Sequence, residues 1–171
     1  MSVEYKTTYA SIDDYNKGGV QVISGNIKDY VFSNVYEVAD KSPAWERVVV
    51  AKNLVYTMEA SRAEGQSDWY ACSHDEFVIA FDYDVEVHYI KLDDTSFIDD
   101  DKDGAIKIGD KPAGQYMGKI TLKRGHQALL PEKTAYSLKA KKPATIVYQS
   151  ILGDESVEKW SEICLTEEDA Q

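Results

Sequence analysis

The chain contains little of what disulfide, zinc-ribbon and membrane proteins are built from. It has 2 cysteines and 4 prolines among 171 residues, and Cys72 and Cys164 form no Cys-x-x-Cys pair. Neither a zinc ribbon nor a disulfide framework is therefore predicted, which fits a reducing cytoplasm. No run of about 18 apolar residues is present, and the first residues lack the basic start and apolar run of a secretory signal. We expect a cytoplasmic protein that does not enter the membrane.

Positive charge is also in the minority. Lysine and arginine together number 19 against 30 aspartates and glutamates, so the formal net charge is -11 at pH 7. Nucleic-acid binding gains its affinity from Lys and Arg side chains that displace phosphate counterions, so this composition argues against nucleic acid as a partner. With 43% hydrophobic residues, a chain of this length buries one sizeable core. The prediction is a single domain over residues 1–171.

The residues that are abundant favour strands. The chain has 12 tyrosines, and aromatic side chains suit pleated, half-buried surfaces. The strongest pattern is the alternation of apolar and polar residues over 77–90, where Asp82 and Asp84 on either side of Tyr83 predict a hairpin turn. Only residues 154–164 show the spacing of a helix. Other strands are predicted over residues 20–25, 30–38, 45–51, 54–60, 118–122, 127–130 and 144–151.

Two motifs narrow this all-β class to one kind of barrel. The first runs over residues 69–76 after Gly65 and ends with Glu76 at the head of a strand. The second keeps Gly125 and Pro131 with five residues between them. This pair resembles the two motifs of the cupins. The resemblance implies a cupin double-stranded β-helix, a jelly-roll-like barrel, with its core over roughly 20–152 and a short C-terminal helix over 154–164.

The metal-ligand positions of this cupin frame hold other residues. A non-haem iron or manganese cupin needs about three imidazoles and one carboxylate on one cation. Only the carboxylate of Glu76 remains, and we expect it to be hydrogen-bonded internally, with Tyr136 as a candidate partner. The resemblance therefore implies neither a metal nor a catalytic residue in this chain. The degenerate positions, counted from Glu76 and Pro131, are Trp69 or Tyr70, Ala71 or Cys72, and Tyr136.

The finer sequence over 43–54, 69–77, 85–92 and 125–131 resembles the small, or alpha, subunit of the two-subunit hydroquinone 1,2-dioxygenases. The resemblance covers roughly residues 43–152. It implies a larger partner subunit that carries Fe(II) and inserts dioxygen into a para-diphenol ring, giving 4-hydroxymuconic semialdehyde. It also implies an α2β2 assembly. In such an assembly Trp69 and Tyr70 are candidates to line the aromatic substrate pocket, because an indole stacks well on a phenol ring.

Three alternatives remain open at this point. A stand-alone cupin enzyme would need an unusual metal set drawn from His74, Glu76, His88 and His126. A metal-free barrel would instead bind a small aromatic ligand without turnover. The acidic stretch over 99–110 has the spacing of a calcium loop, although a solvated loop is the expectation because its twelfth position lacks the usual glutamate. The calcium candidates are Asp99, Asp101, Asp103 and Asp110.

Overall fold

Strands dominate the protein, for which the computed structural model describes residues 34–158. No helix in that range is long and apolar enough to cross a membrane. The predicted all-β class is confirmed, since the strands curl into a half-barrel around a buried interior. The elements are α1 Val35–Lys41, β1 Arg47–Lys52, β2 Tyr56–Gln66, β3 Trp69–Cys72, β4 Glu76–Ala80, β5 Val85–Leu92, β6 Ala105–Gly109, β7 Gly114–Leu122, β8 Gln127–Leu130, β9 Thr134–Ile151 and β10 Ser156–Val157.

The long strand β9 organises the sheet. It pairs antiparallel with β2 over most of its length, with β5 through residues 134–140 and with β4 through residues 146–149. The main path of the sheet is β10-β1-β2-β9-β3-β6, with β8 joined to β4 and β7 joined to β5. Because β9 contacts four other strands, it brings residues that are distant in sequence to one interior.

The hairpin predicted at residues 82–84 is wrong. β4 and β5 do not pair with each other but with different stretches of β9. The acidic turn is tied to β9 instead, because Asp82 Oδ1 accepts hydrogen bonds from the amides of Tyr83 and Thr145 at 2.7 and 2.8 Å. An Asp side chain that caps local amides is typical of turns in general, so it does not by itself specify a hairpin.

Two further predictions differ from the structure near the ends of the described range. The strand predicted over 30–38 is wrong for residues 35–38, which belong to α1, whose N-cap Asn34 accepts from the amides of Tyr36 and Glu37 through its side chain. The helix predicted over 154–164 begins as β10, which pairs parallel with β1. Residues 30–33, residues 159–164 and the strand predicted over 20–25 lie outside the described residues. The other predicted strands are confirmed, whereas β3 and β6 were not predicted.

Three apolar clusters fill the fold. One lies under α1 and contains Val38, Val48 and Val147. A second lies on the outer face of β3, β5 and β9, where Ala71 and Ile90 are buried and Trp69 packs against them. The third is the interior of the half-barrel, built largely from β3, β4, β5, β8 and β9. Period-two alternation explains the division, since neighbouring residues of one strand face opposite sides of the sheet.

Candidate functional site

A buried arginine lies at the centre of the barrel. Arg47, the first residue of β1, is only 4% exposed. Its Nε donates to Glu59 Oε2 and its Nη2 to Glu76 Oε1, both at 2.6 Å. Its Nη1 donates to the Tyr136 hydroxyl at 3.2 Å. One guanidinium thus links β1, β2, β4 and β9, and a planar fork of donors is well suited to two carboxylates.

The two carboxylates are fully buried and fully hydrogen-bonded. Glu59 lies in the middle of β2, where Oε1 accepts from the hydroxyls of Thr57 at 2.9 Å and Ser156 at 2.5 Å. Glu76 opens β4, and its Oε2 accepts from the Tyr136 hydroxyl at 2.5 Å. The predicted bond between Glu76 and Tyr136 is therefore present. A buried charge is tolerated only with such partners, because burial without them costs several kcal/mol.

Aromatic rings enclose the guanidinium. The Cζ atom of Arg47 lies 4.2 Å from the centroid of the Tyr148 ring, which is a cation–π arrangement. The ring of Tyr70 stacks on that of Tyr136, with centroids 6.0 Å apart and planes inclined by 27°. Both rings belong to the interior cluster. The charged centre is therefore held inside an aromatic and apolar shell.

The charges of this network change its acid–base behaviour. Burial by itself would raise the pKa of Glu76, but the charge and hydrogen bonds of Arg47 outweigh it and lower that pKa to about 2. For Arg47, burial opposes the charge, yet the two carboxylates raise its pKa well above the ordinary value. Burial, followed by the charge of Glu76, raises the pKa of Tyr136. At neutral pH Glu76 is therefore an ionised carboxylate beside the Arg47 guanidinium, and Tyr136 is a neutral phenol.

Three potential metal ligands also meet at this centre. The ligand atoms of Cys72, His74 and Glu76 lie within 4.8 Å of one another, because alternate residues point to the same side. His74 Nε2 is also 3.4 Å from the Ser150 hydroxyl. The group lies at the metal-ligand positions of the cupin frame, and its contacts decide whether it fits a metal.

These residues do not fit a divalent metal. Both oxygens of Glu76 already accept hydrogen bonds, from Arg47 and from Tyr136. A divalent ion on Glu76 would lie roughly 5 Å from the guanidinium, where an effective dielectric constant of about 20 gives about 7 kcal/mol of repulsion. Burial, together with the charge of Glu76, raises the pKa of Cys72, so Cys72 is a neutral thiol in the metal-free centre.

The structure separates the predicted aromatic pair. Trp69 is half-buried on the outer face, where it packs against the cluster that contains Ala71. Tyr70 is buried in the interior with Cys72 and Tyr136. The two aromatic residues therefore do not line one pocket on the same side of β3. Of the degenerate cupin positions, the interior holds Tyr70, Cys72, Glu76 and Tyr136, and the outer face holds Trp69 and Ala71.

The metal set proposed for a stand-alone enzyme does not converge within residues 34–158. His88 lies on the polar face of β5. Its Nε2 is 3.2 Å from Glu86 Oε2, and its Nδ1 is 3.2 Å from the Tyr116 hydroxyl. His126 is exposed at the turn before β8. Among the four residues of that set, only His74 and Glu76 belong to the group of potential ligands.

The acidic stretch is divided by a strand. β6 occupies Ala105–Gly109 and pairs with β3, so it lies between Asp103 and Asp110. Asp99 Oδ1 accepts from the amide of Asp101 at 3.0 Å, and all four candidate aspartates are exposed. The calcium alternative stays a prediction, and an extended strand is not the closed loop that it requires.

Sequence reasoning missed Arg47 and Glu59. Both carried a signal, because each is a charged residue in a run that otherwise reads as a buried strand. A charged residue among buried strand positions requires a buried partner of opposite sign. In the antiparallel pair of β1 and β2, Glu59 lies opposite Val49, so Arg47 is its diagonal neighbour on the same face of the sheet.

Comparison with known proteins places the chain in a family. No family model and no curated protein sequence matches it. The hydroquinone 1,2-dioxygenase from Sphingomonas sp. TTNP3, crystallised with 4-hydroxybenzoate, contains a chain that is 48% identical, with a TM-score of 0.78 and coverage of 98% of this chain and 99% of that one. Hydroquinone 1,2-dioxygenase PnpCD, crystallised with Cd2+ and 4-hydroxybenzonitrile, contains a chain that is 47% identical, with a TM-score of 0.75 and coverage of 97% and 100%.

A second chain of PnpCD has the same fold. In the complex of that enzyme with Fe3+, a chain only 12% identical superposes with a TM-score of 0.53, over 85% of this chain and 46% of that one. This second PnpCD chain is therefore much longer than the PnpCD chain that matches the present chain end to end. The resemblance noted from the sequence is confirmed by the two matches at 47% and 48% identity. This chain belongs to the hydroquinone 1,2-dioxygenase family as a subunit of a ring-cleaving dioxygenase.

Proposed function

We propose that this chain is the smaller, non-catalytic cupin subunit of an Fe(II)-dependent hydroquinone 1,2-dioxygenase. Its larger partner would carry the iron and convert hydroquinone to 4-hydroxymuconic semialdehyde. The observation that carries the proposal is the end-to-end match, at 47% and 48% identity, to one chain of two such enzymes. The longer PnpCD chain of the same fold supports a two-subunit arrangement.

The geometry of the barrel supports placing the iron in the partner. Insertion of dioxygen into an aromatic ring needs redox chemistry, which Fe(II) would supply. In this chain the carboxylate of Glu76 is committed to Arg47 and Tyr136. The network leaves Glu76 unsuited to a divalent ion, so the chain's own contribution is structural.

The tasks left to this chain are to cover the partner and to shape the substrate pocket. Trp69, Ile106 and Ile108 are only partly buried on the outer cluster. Partly exposed apolar side chains beside a strand edge suit a protein interface, where aromatic residues are enriched. Trp69 would there close the pocket against water and stack on the diphenol ring. The proposal includes a single cupin domain over 1–171, an α2β2 assembly and a cytoplasmic location.

Reconstitution tests this proposal. The chain is purified alone and together with its candidate larger subunit, loaded anaerobically with Fe(II), and assayed for oxygen uptake and ring-cleaved product with hydroquinone. We expect activity only in the pair, with the iron bound to the larger chain. Activity in this chain alone would refute the non-catalytic role, and a pair that does not associate would refute the subunit role.

A further inference from the structure

We propose that the Arg47 guanidinium is the resident cation of this barrel and that it excludes iron from this chain. The statement that Arg47 excludes iron rests on the proposed function, because that function places the iron in the partner subunit. Two chains of one fold in one enzyme offer two barrel centres, and only the centre with a complete ligand set can support the reaction. A permanent organic cation in the other centre directs the iron to the partner.

The position of Arg47 is the first argument. Its guanidinium bonds to Glu76 and Tyr136, at 2.6 and 3.2 Å. These residues stand at the glutamate position and the third histidine position of the cupin frame. Arg47 therefore neutralises the remaining ligand carboxylate and occupies one of its two oxygens.

The anchoring of Arg47 is the second argument. The side chain is 4% exposed, its Nε is held by Glu59, and its Cζ atom lies 4.2 Å from the centroid of the Tyr148 ring. Glu59 is itself fixed by the hydroxyls of Thr57 and Ser156. Because every contact around the guanidinium is buried and directional, the cation cannot move aside to admit a second one.

The composition of the centre without Arg47 is the third argument. Cys72, His74 and Glu76 have their ligand atoms within 4.8 Å of one another. Sulfur, imidazole and carboxylate ligands in this number suit Zn(II) or Co(II). Removal of the guanidinium should therefore uncover a metal site that the native side chain suppresses.

Metal titration of the isolated full chain tests the inference. The wild type, Arg47→Ala and the control Arg62→Ala, which removes a half-exposed arginine outside the network, are titrated with Zn(II) and with Co(II). We expect Arg47→Ala to bind Zn(II) at least about 100-fold more tightly than the wild type. Its Co(II) complex should show a thiolate-to-cobalt absorption band that Cys72→Ser in the same background abolishes. The Arg62→Ala chain should behave as the wild type.

The outcomes decide the inference in either direction. Stoichiometric Zn(II) in the wild-type chain would overturn it, and so would a folded Arg47 variant that binds no more metal than the wild type. If Arg47→Ala does not fold, Arg47→Gln takes its place, since it keeps a hydrogen-bonding side chain and removes the charge. The metal titration does not need the partner subunit. A failed reconstitution would therefore refute the proposed function without changing the result on metal binding at Arg47.

Discussion

Replacing Glu76 with glutamine removes one buried negative charge and keeps the size and most of the shape of the side chain. In the native network, the charge and hydrogen bonds of Arg47 overcome the effect of burial and lower the pKa of Glu76 to about 2, from an ordinary value of 4.5. Each pH unit of such a difference corresponds to about 1.36 kcal/mol. The ionised form of Glu76 thus contributes about 3 kcal/mol to the free energy of unfolding at pH 7.

The sign of the pH dependence follows from the direction of this pKa. Because the folded pKa of Glu76 lies below the unfolded one, the stabilisation is fully present above about pH 5. It is lost as the pH falls through the window from about 5 to about 2, where the unfolded chain binds the proton first. Glu76→Gln has no such proton to bind, so its stability should depend less on pH in this window.

Urea unfolding followed by tryptophan fluorescence measures both effects. At pH 7 we expect Glu76→Gln to lose about 3 kcal/mol, which for a chain of this size corresponds to a fall in Tm of about 6–12 °C. Between pH 5 and pH 3 the difference between wild type and variant should shrink. The matched control is Glu86→Gln, a partly exposed residue of β5 that pairs with Lys119, and we expect nearly unchanged stability there.

Two results would refute this reasoning. A Glu76→Gln chain as stable as the wild type at pH 7 would mean that the ion pair with Arg47 does not stabilise the fold. A difference that stays constant from pH 7 to pH 3 would mean that the loss comes from packing or hydrogen bonding and not from the charge. Either outcome would also remove the electrostatic basis for excluding a metal.

Three further predictions concern the phenol, the outer face and the acidic stretch. Tyr136→Phe removes the hydroxyl that donates to Glu76 and accepts from Arg47, so urea unfolding should show a loss of about 1–3 kcal/mol. Trp69→Ala should raise KM for hydroquinone or lower kcat in the reconstituted enzyme, while size-exclusion chromatography still shows assembly. Gly104→Ala should lower Tm, because φ is +74° and the added Cβ would lie 2.6 Å from the Cα of Gly153.

Each of these has a control and an opposing result. Tyr148→Phe keeps the ring that stacks on the guanidinium, and a loss as large as that of Tyr136→Phe would contradict a specific role for the Tyr136 hydroxyl. Unchanged kinetics in Trp69→Ala would contradict a role for Trp69 in the substrate pocket. Gly125→Ala shares a positive φ but has no atom within 4 Å of the new Cβ, so an equal loss there would show that strain, not contact, explains Gly104.

The amino-acid sequence by itself determined the fold class and the family. Local patterns, an apolar β-branched run for β1 and alternation for β4 and β5, identified these strands together with β2 and β7 to β9, because such patterns are set by neighbouring residues. The two motif segments indicated the cupin frame and showed that its metal-ligand positions hold other residues. Period two also implied that Trp69 and Tyr70 face opposite sides of β3, although the prediction placed both in one pocket.

Only the tertiary structure decided which strands pair and what occupies the barrel centre. The turn at 82–84 does not form a hairpin, because β4 and β5 find their partners in β9, more than forty residues away. The contacts of Arg47 span 12 residues to Glu59, 29 to Glu76 and 89 to Tyr136. Sequence patterns report how each segment meets its immediate neighbours. The partner of a buried charge is instead chosen by the register of distant strands, which exists only once the whole sheet has closed.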